Sequence, residues 1–259
     1  MLESIKILSI GNSFSDDAME HVYGILNDLG FKKIKLGNLH VGGCSLTMHR
    51  NHANGDLPVY DYRVNTDGKW VSKAEAKLTD GILDEEWDII TMQQVSGESG
   101  IPETYAPLDD FFAYVNKLAK GNPKYAWHMT WAYANGSDHP DFARYGNNQE
   151  TMYASIVKTV QEKIVPRTEF FTIIPAGTAI QNMRTSYLGD TLNRDGFHLT
   201  FDLGRYTAGL AIAKALTGLD ISNVKFAPEG VTDKQRETAI KAVEYAAAKP
   251  FTATSMANE

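Results

Sequence analysis

Cysteine is almost absent: Cys44 is the single one in 259 residues, so no intramolecular disulfide can form and nothing hints at an oxidising compartment. Long apolar runs are missing too, and no window approaches the ~20 residues of a membrane span. The opening MLESIKILSIGNSFS has no basic segment followed by a long apolar stretch, so it reads as a strand rather than a leader. A cytoplasmic location is the simplest expectation, although a secreted chain trimmed of its signal would look the same. Lys and Arg form no cluster and net charge is −7, which argues against the basic stripe that nucleic acid requires. No G-x-G-x-x-G, P-loop or H-E-x-x-H occurs, so neither a nucleotide cofactor nor a metal is expected. His49 and His52 (HRNH) lack a third clustered ligand and read as a surface pair.

What is present is ordinary globular composition, 43% hydrophobic and 22% charged, in a length that suits one α/β domain. Five short β-rich runs, Ile5–Ile10, Lys33–Leu39, Trp87–Gln93, Tyr125–Ala132 and Glu169–Ile174, are bounded by turn residues. Helical periodicity separates them: Met19, Val22, Tyr23, Leu26 and Leu29 recur at i, i+3, i+4, and similar patterns cover Leu108–Lys120, Asn148–Lys163, Gly204–Leu216 and Asp233–Ala248. Alternation of apolar strands with helices predicts a parallel sheet covered on both faces. The expected fold is a flavodoxin-like three-layer α/β/α sandwich with a five-stranded parallel sheet. One stretch departs from the alternation. VYDYRVNTDGKWVSK turns at Asn65–Gly68 and reads as a β-hairpin, with a helix over Ala74–Leu83, inside an insertion at about 47–86. Residues 1–249 are thus expected to form one domain and residues 250–259 a loose tail.

Two segments carry chemistry. In IGNSFSDDAMEH an apolar strand ends at Ile10, a Gly–Asn–Ser turn follows and a helix begins near Ser15. Ser13 therefore sits at the carboxyl end of the first strand, where open α/β sheets bind ligands, beside a helix N-terminus that favours developing negative charge. On this segment alone the stronger reading makes Ser13 and Ser15 turn and N-cap residues. In NRDGFHLT, Asp195 and His198 share one short turn ahead of a helix. A serine hydroxyl needs a base, normally histidine, held by a carboxylate before it can attack an ester. A serine on the opening turn followed late in the chain by D-x-x-H supplies all three groups.

The order G-N-S-F-S, then N-L-H-V-G-G after the second strand, then D-G-F-H near the end resembles the SGNH (GDSL-type) hydrolase superfamily, whose serine lies in a G-D-S or G-N-S turn instead of a G-x-S-x-G elbow. WDIITMQQVSGESG (Trp87–Gly100) and TWAYA (Thr130–Ala134) are similar to segments of a divergent branch of that superfamily, frequent in gut bacteria. The resemblance implies the α/β/α fold, a triad of Ser13, Asp195 and His198, and an oxyanion hole built from the Ser13 and Gly43 amides. The superfamily's third donor is an Asn in G-x-N-D. This chain has none, so the resemblance points to Gln94, with Gln93 and Ser96 as alternatives. It also implies hydrolysis of small acyl esters, chiefly acetyl, on carbohydrates, with no cofactor.

Trp131 and Tyr133, after the fourth strand, and Arg184, after the fifth, fall near the sheet's carboxyl edge and are expected to contact substrate, while Trp127 reads as core. Cys44, next to Gly43, reads as inert packing. Two rival readings stand beside the esterase: a lipid or thioester hydrolase of the same superfamily, and a non-catalytic carbohydrate-binding module. The expected partner is a small-molecule or oligosaccharide ester, with neither nucleic acid nor membrane; nothing in the sequence fixes the oligomeric state.

Overall fold

The computed structural model describes residues 3–257. The strands are β1 (Ser4–Gly11), β2 (Lys33–His40), β3 (Tyr60–Asn65), β4 (Trp70–Ala76), β5 (Ile89–Met92), β6 (Lys124–His128) and β7 (Phe170–Ile174). The helices are α1 (Ser13–Met19), α2 (Val22–Asp28), α3 (Leu46–Gly55), α4 (Leu78–Leu83), α5 (Leu108–Leu118), α6 (Gln149–Lys163), α7 (Ala176–Arg184), α8 (Leu203–Thr217) and α9 (Asp233–Ala248).

The strands form one sheet in the order β4-β3-β2-β1-β5-β6-β7. β2, β1, β5, β6 and β7 are mutually parallel, and β3 and β4 add antiparallel beyond β2. The expected five-stranded parallel core and hairpin are both present, and the hairpin lengthens the same sheet. Its turn is pinned by Asn65 Oδ1, which accepts the Gly68 amide at 2.8 Å. Apolar β1 and β5 lie in the middle with both faces covered, so Ile7, Leu8, Ile10 and Ile90 are buried. Helix α8 is buried along most of its length, because α1, α2, α7 and α9 all pack on it. Its small residues, Gly204, Ala208, Gly209 and Ala211, permit that crowding.

Four features differ from the sequence reading. The first helix begins at Ser13 and breaks after Met19 into α1 and α2. β5 and β6 stop at Met92 and His128, short of the expected ends, so Gln93 and Trp131 join Gln94 and Tyr133 in loops past the strands. Helices α3 and α7 occupy segments where the sequence reading placed no helix; α3 is capped by Ser45 Oγ, which accepts the Met48 amide. The C-terminal stretch is tied down: Pro250 O accepts from Thr178 Oγ1, the Thr254 amide donates to Asn182 Oδ1, and Met256 is buried. The loose tail is therefore corrected over residues 250–257, and residues 258–259 lie outside the described residues. No helix among the described residues is long and apolar enough to cross a membrane.

Candidate active site

At the carboxyl edge of the sheet β1 runs into α1 through a single residue, Asn12. Asn12 takes extended φ/ψ and its Oδ1 accepts the Phe14 amide at 3.0 Å, which caps the helix and leaves Ser13 as its first residue. Gly11 has no room for a side chain, since a Cβ there would lie 2.8 Å from Gln93 Cδ and from Ser15 Oγ.

The loop before α8 folds onto itself through an Asn193–Leu199 bridge and an Arg194 N–H bond to His198 O of 2.9 Å. Asp195 Oδ1 accepts the amides of His198 (2.7 Å) and Phe197 (3.2 Å), and its Oδ2 lies 2.7 Å from His198 Nδ1. His198 Nε2 lies 2.8 Å from Ser13 Oγ. Burial pushes the Asp195 carboxyl up, but hydrogen bonds from the His198 ring and from the His198 and Phe197 amides outweigh it and hold the group below the usual carboxylate range. The structure thus brings Ser13, His198 and Asp195 into one hydrogen-bonded row.

What joins the two halves of that row is Asp17, one turn after Ser13. Its buried carboxylate accepts the Leu199 amide (2.8 Å) and hydrogen bonds from Arg194 Nη1 (3.0 Å) and Arg205 Nε (2.8 Å). The sequence reading passed over it. The available signal was its i+4 spacing from Ser13 together with an arginine beside Asp195. Breaking a buried ion pair from one side leaves uncompensated charge, at a cost of roughly 3–5 kcal/mol. Asp17→Ala should therefore cost about 3 kcal/mol in denaturant unfolding, the low end because Arg194 retains some solvent. An unchanged midpoint would show that Asp17 does not fasten the loop.

A cavity of about 360 Å³ opens on Ser13 and His198. Gly42 and Gly43 border it, in a turn closed by the Cys44 amide on Val41 O at 3.1 Å. Gly43 has φ +65°, a conformation that favours glycine. Glu98, His139, Asp141 and Phe197 also line the cavity, and none of them was singled out from the sequence.

Four expected site residues are placed elsewhere. Gln94 is buried: its Nε2 donates to Thr104 O and Oγ1, and its Oε1 accepts the Leu46 and Val95 amides, so the carboxamide is spent on joining loops. Trp131 is buried and stacked on Phe14, with centroids 4.2 Å apart, and its Nε1 donates to Phe197 O. Tyr133 is buried edge-on to Phe14 and Phe142, with its hydroxyl 2.8 Å from Ser96 Oγ. Arg184 is buried, hydrogen-bonded to Ala132 O, Asn193 Oδ1 and Gln181 Oε1 and ion-paired with Asp190. Trp131 and Tyr133 support the walls of the site, and Arg184 ties its loops together. Gln93, the alternative to Gln94, lies toward Ser13's neighbour Asn12, its Nε2 2.9 Å from Asn12 Oδ1.

His49 is no surface residue: it is buried between Tyr60 and Phe111, with Nδ1 2.8 Å from the Tyr60 hydroxyl. Among the described residues no three His, Cys, Asp or Glu side chains are grouped to hold a metal. Burial pushes the Cys44 thiol up to about 12, which leaves it un-ionised at neutral pH. Burial lowers His49 to about 3 and His128 to about 4. Unfolded histidines titrate near ~6.5, so below that pH the unfolded chain binds more protons and stability falls with pH, by up to ~1.4 kcal/mol per unit per histidine. The melting temperature should accordingly fall between pH 6.5 and 4.5. A flat profile there would contradict two histidines buried neutral.

The fold and this row of side chains define an α/β/α protein with serine, histidine and aspartate joined at the carboxyl edge of its sheet. The chain belongs to the family described as Domain of unknown function (DUF4886), whose model matches residues 6–247. A crystal structure of a DUF4886 family protein from Bacteroides uniformis is 37% identical, with a TM-score of 0.93 over 98% of each chain. A protein from Slackia heliotrinireducens, named as a candidate SGNH hydrolase, shares the fold at 18% identity and TM-score 0.50, over 82% of this chain and 99% of that one. An acetylxylan esterase from Geobacillus stearothermophilus is similar at 12% identity and TM-score 0.49, over 87% of this chain and 96% of its own. No curated protein matches the chain.

Proposed function

We propose that this chain is a serine esterase of the SGNH type that removes small acyl groups, chiefly acetyl, from a polyhydroxy alcohol such as a carbohydrate. The observation that carries this reading is the Asp195–His198–Ser13 row, with contacts of 2.7 and 2.8 Å at the mouth of a cavity. The SGNH name carried by the Slackia protein supports the same reading.

In this mechanism His198 Nε2 takes the Ser13 proton as Oγ attacks the ester carbonyl. Asp195 accepts a hydrogen bond from Nδ1–H, which holds that tautomer, and stabilises the ring when it becomes positive. The Ser13 and Gly43 amides hold the oxyanion, helped by the positive end of α1. Collapse expels the alcohol, which takes its proton from His198, and water then releases the acyl group by the same steps in reverse.

Glu98 and Asp141 on the cavity wall favour hydroxyl-bearing, uncharged alcohols over anionic ones, and the small volume favours a short acyl chain. A fluorophosphonate probe followed by p-nitrophenyl acetate, butyrate and octanoate tests both levels. Ser13 should label, and kcat/KM should fall by about tenfold or more from acetate to octanoate. Faster octanoate turnover would replace this reading with a lipid esterase, and absence of labelling would leave the binding module.

A further inference from the structure

Behind Ser13 lies a chain of hydrogen bonds whose direction is set entirely by the backbone. Asn12 Oδ1 faces the Phe14 amide, an obligate donor, so Asn12 Nδ2 must face Cys44 O, 3.1 Å away. The same Oδ1 lies 2.9 Å from the Gln93 carboxamide, which must present Nε2 there. Gln93 Oε1 is left facing His128 Nδ1 at 2.9 Å, so that nitrogen must carry the ring proton. His128 Nε2 is buried without a partner, which suits a neutral ring held as this one tautomer. Asn12, Gln93 and His128 are each buried. The chain crosses the tips of β1, β5 and β6 and ends on the carbonyl that follows Gly43.

We propose that Asn12, Gln93 and His128 are positioning residues that fix the Gly42–Gly43 turn against Ser13, so that the Gly43 amide is aimed before substrate arrives. This rests on the esterase reading above, and it gives the Gln-Gln segment a role other than oxyanion donation. The Asn12 contact to Cys44 O is a single side-chain tether between the turn that carries Ser13 and the turn that carries Gly43. A loosened turn would still admit substrate but would meet the tetrahedral oxygen poorly. Loss should fall on kcat rather than KM, since the amide matters most once charge develops.

The test uses the whole chain, with p-nitrophenyl acetate turnover, fluorophosphonate labelling and melting temperature recorded for each variant. His128→Leu removes the Nδ1 donor. His128→Asn removes the ring equally but returns an N–H at the same reach. Both lose packing against Trp131, so both should melt lower than wild type. Only His128→Leu should lose kcat, by about 10- to 100-fold with KM within about twofold, while His128→Asn stays within about threefold of wild type. Asn12→Asp keeps the α1 cap but sets two oxygens against each other at Cys44. It should lose kcat to a similar extent and label more slowly. Equal kcat for His128→Leu and His128→Asn, or an Asn12→Asp variant that loses only stability or only KM, would overturn the proposal. Failure of wild type itself to label would instead overturn the esterase reading.

Discussion

Ser13→Ala is expected to abolish ester hydrolysis in a protein that still folds. Removing the nucleophile from a triad of this kind lowers turnover by about 10⁴–10⁶, and what survives comes from the oxyanion donors and binding alone. The fold should tolerate the change. The α1 cap is made by Asn12 and the Phe14 amide rather than by the Ser13 side chain, whose hydroxyl meets His198 Nε2. Alanine is also a good first-turn residue. The variant should therefore melt within a few degrees of wild type, fail to label with a fluorophosphonate and show no burst on p-nitrophenyl acetate. A folded Ser13→Ala protein with wild-type turnover would remove Ser13 as nucleophile and with it the esterase reading.

The parts of the site legible in the sequence are those whose geometry is local. Asp195 and His198 meet because a four-residue turn lets one carboxylate accept the Phe197 and His198 amides and still reach the imidazole. Ser13 was legible because a strand running directly into a helix exposes the residue at the junction. The fold followed from apolar runs too long and too uniform for an antiparallel, half-wet sheet.

Misplaced residues share a different property, since each depends on contacts distant in sequence. Alternation along β5 stops carrying information after Met92, so the choice between Gln93 and Gln94 could not be made by parity. Trp131 and Tyr133 follow a strand tip, which reads as an exposed edge. The Pro140–Tyr145 turn, with Phe142, and the 193–199 loop close over them. Arg184 reads from sequence either as a substrate contact or as the partner of an acidic neighbour; folding decides for the second, by gathering Ala132, Asp190 and Asn193 around it. Asp17 was overlooked for the same reason, because its value lies in Arg194, Arg205 and Leu199, 177 to 188 residues further along the chain.

Asp195→Asn should cost about 10⁴ in kcat near neutral pH, although the two side chains have almost the same shape. The backbone decides the outcome. Oδ1 at this position accepts the His198 and Phe197 amides, so an Asn here must keep its oxygen on them and turn its NH₂ toward His198 Nδ1. Nδ1 must then accept, which moves the ring proton to Nε2. That nitrogen would donate to Ser13 Oγ instead of taking its proton, so the base is present but in the wrong tautomer. The loop itself should hold, since both amides keep an acceptor. Asp195→Ala makes the comparison informative: with Nδ1 open to solvent the ring can sample the productive tautomer, so Asp195→Asn should be no more active than Asp195→Ala despite being the gentler change. Imidazole nitrogen NMR should find the proton on Nδ1 in wild type and on Nε2 in Asp195→Asn. A variant that keeps turnover within about tenfold of wild type would show that Asp195 does not set the tautomer. His198 would then have to be oriented by its neighbour Phe197, whose ring centroid lies 4.2 Å from its own.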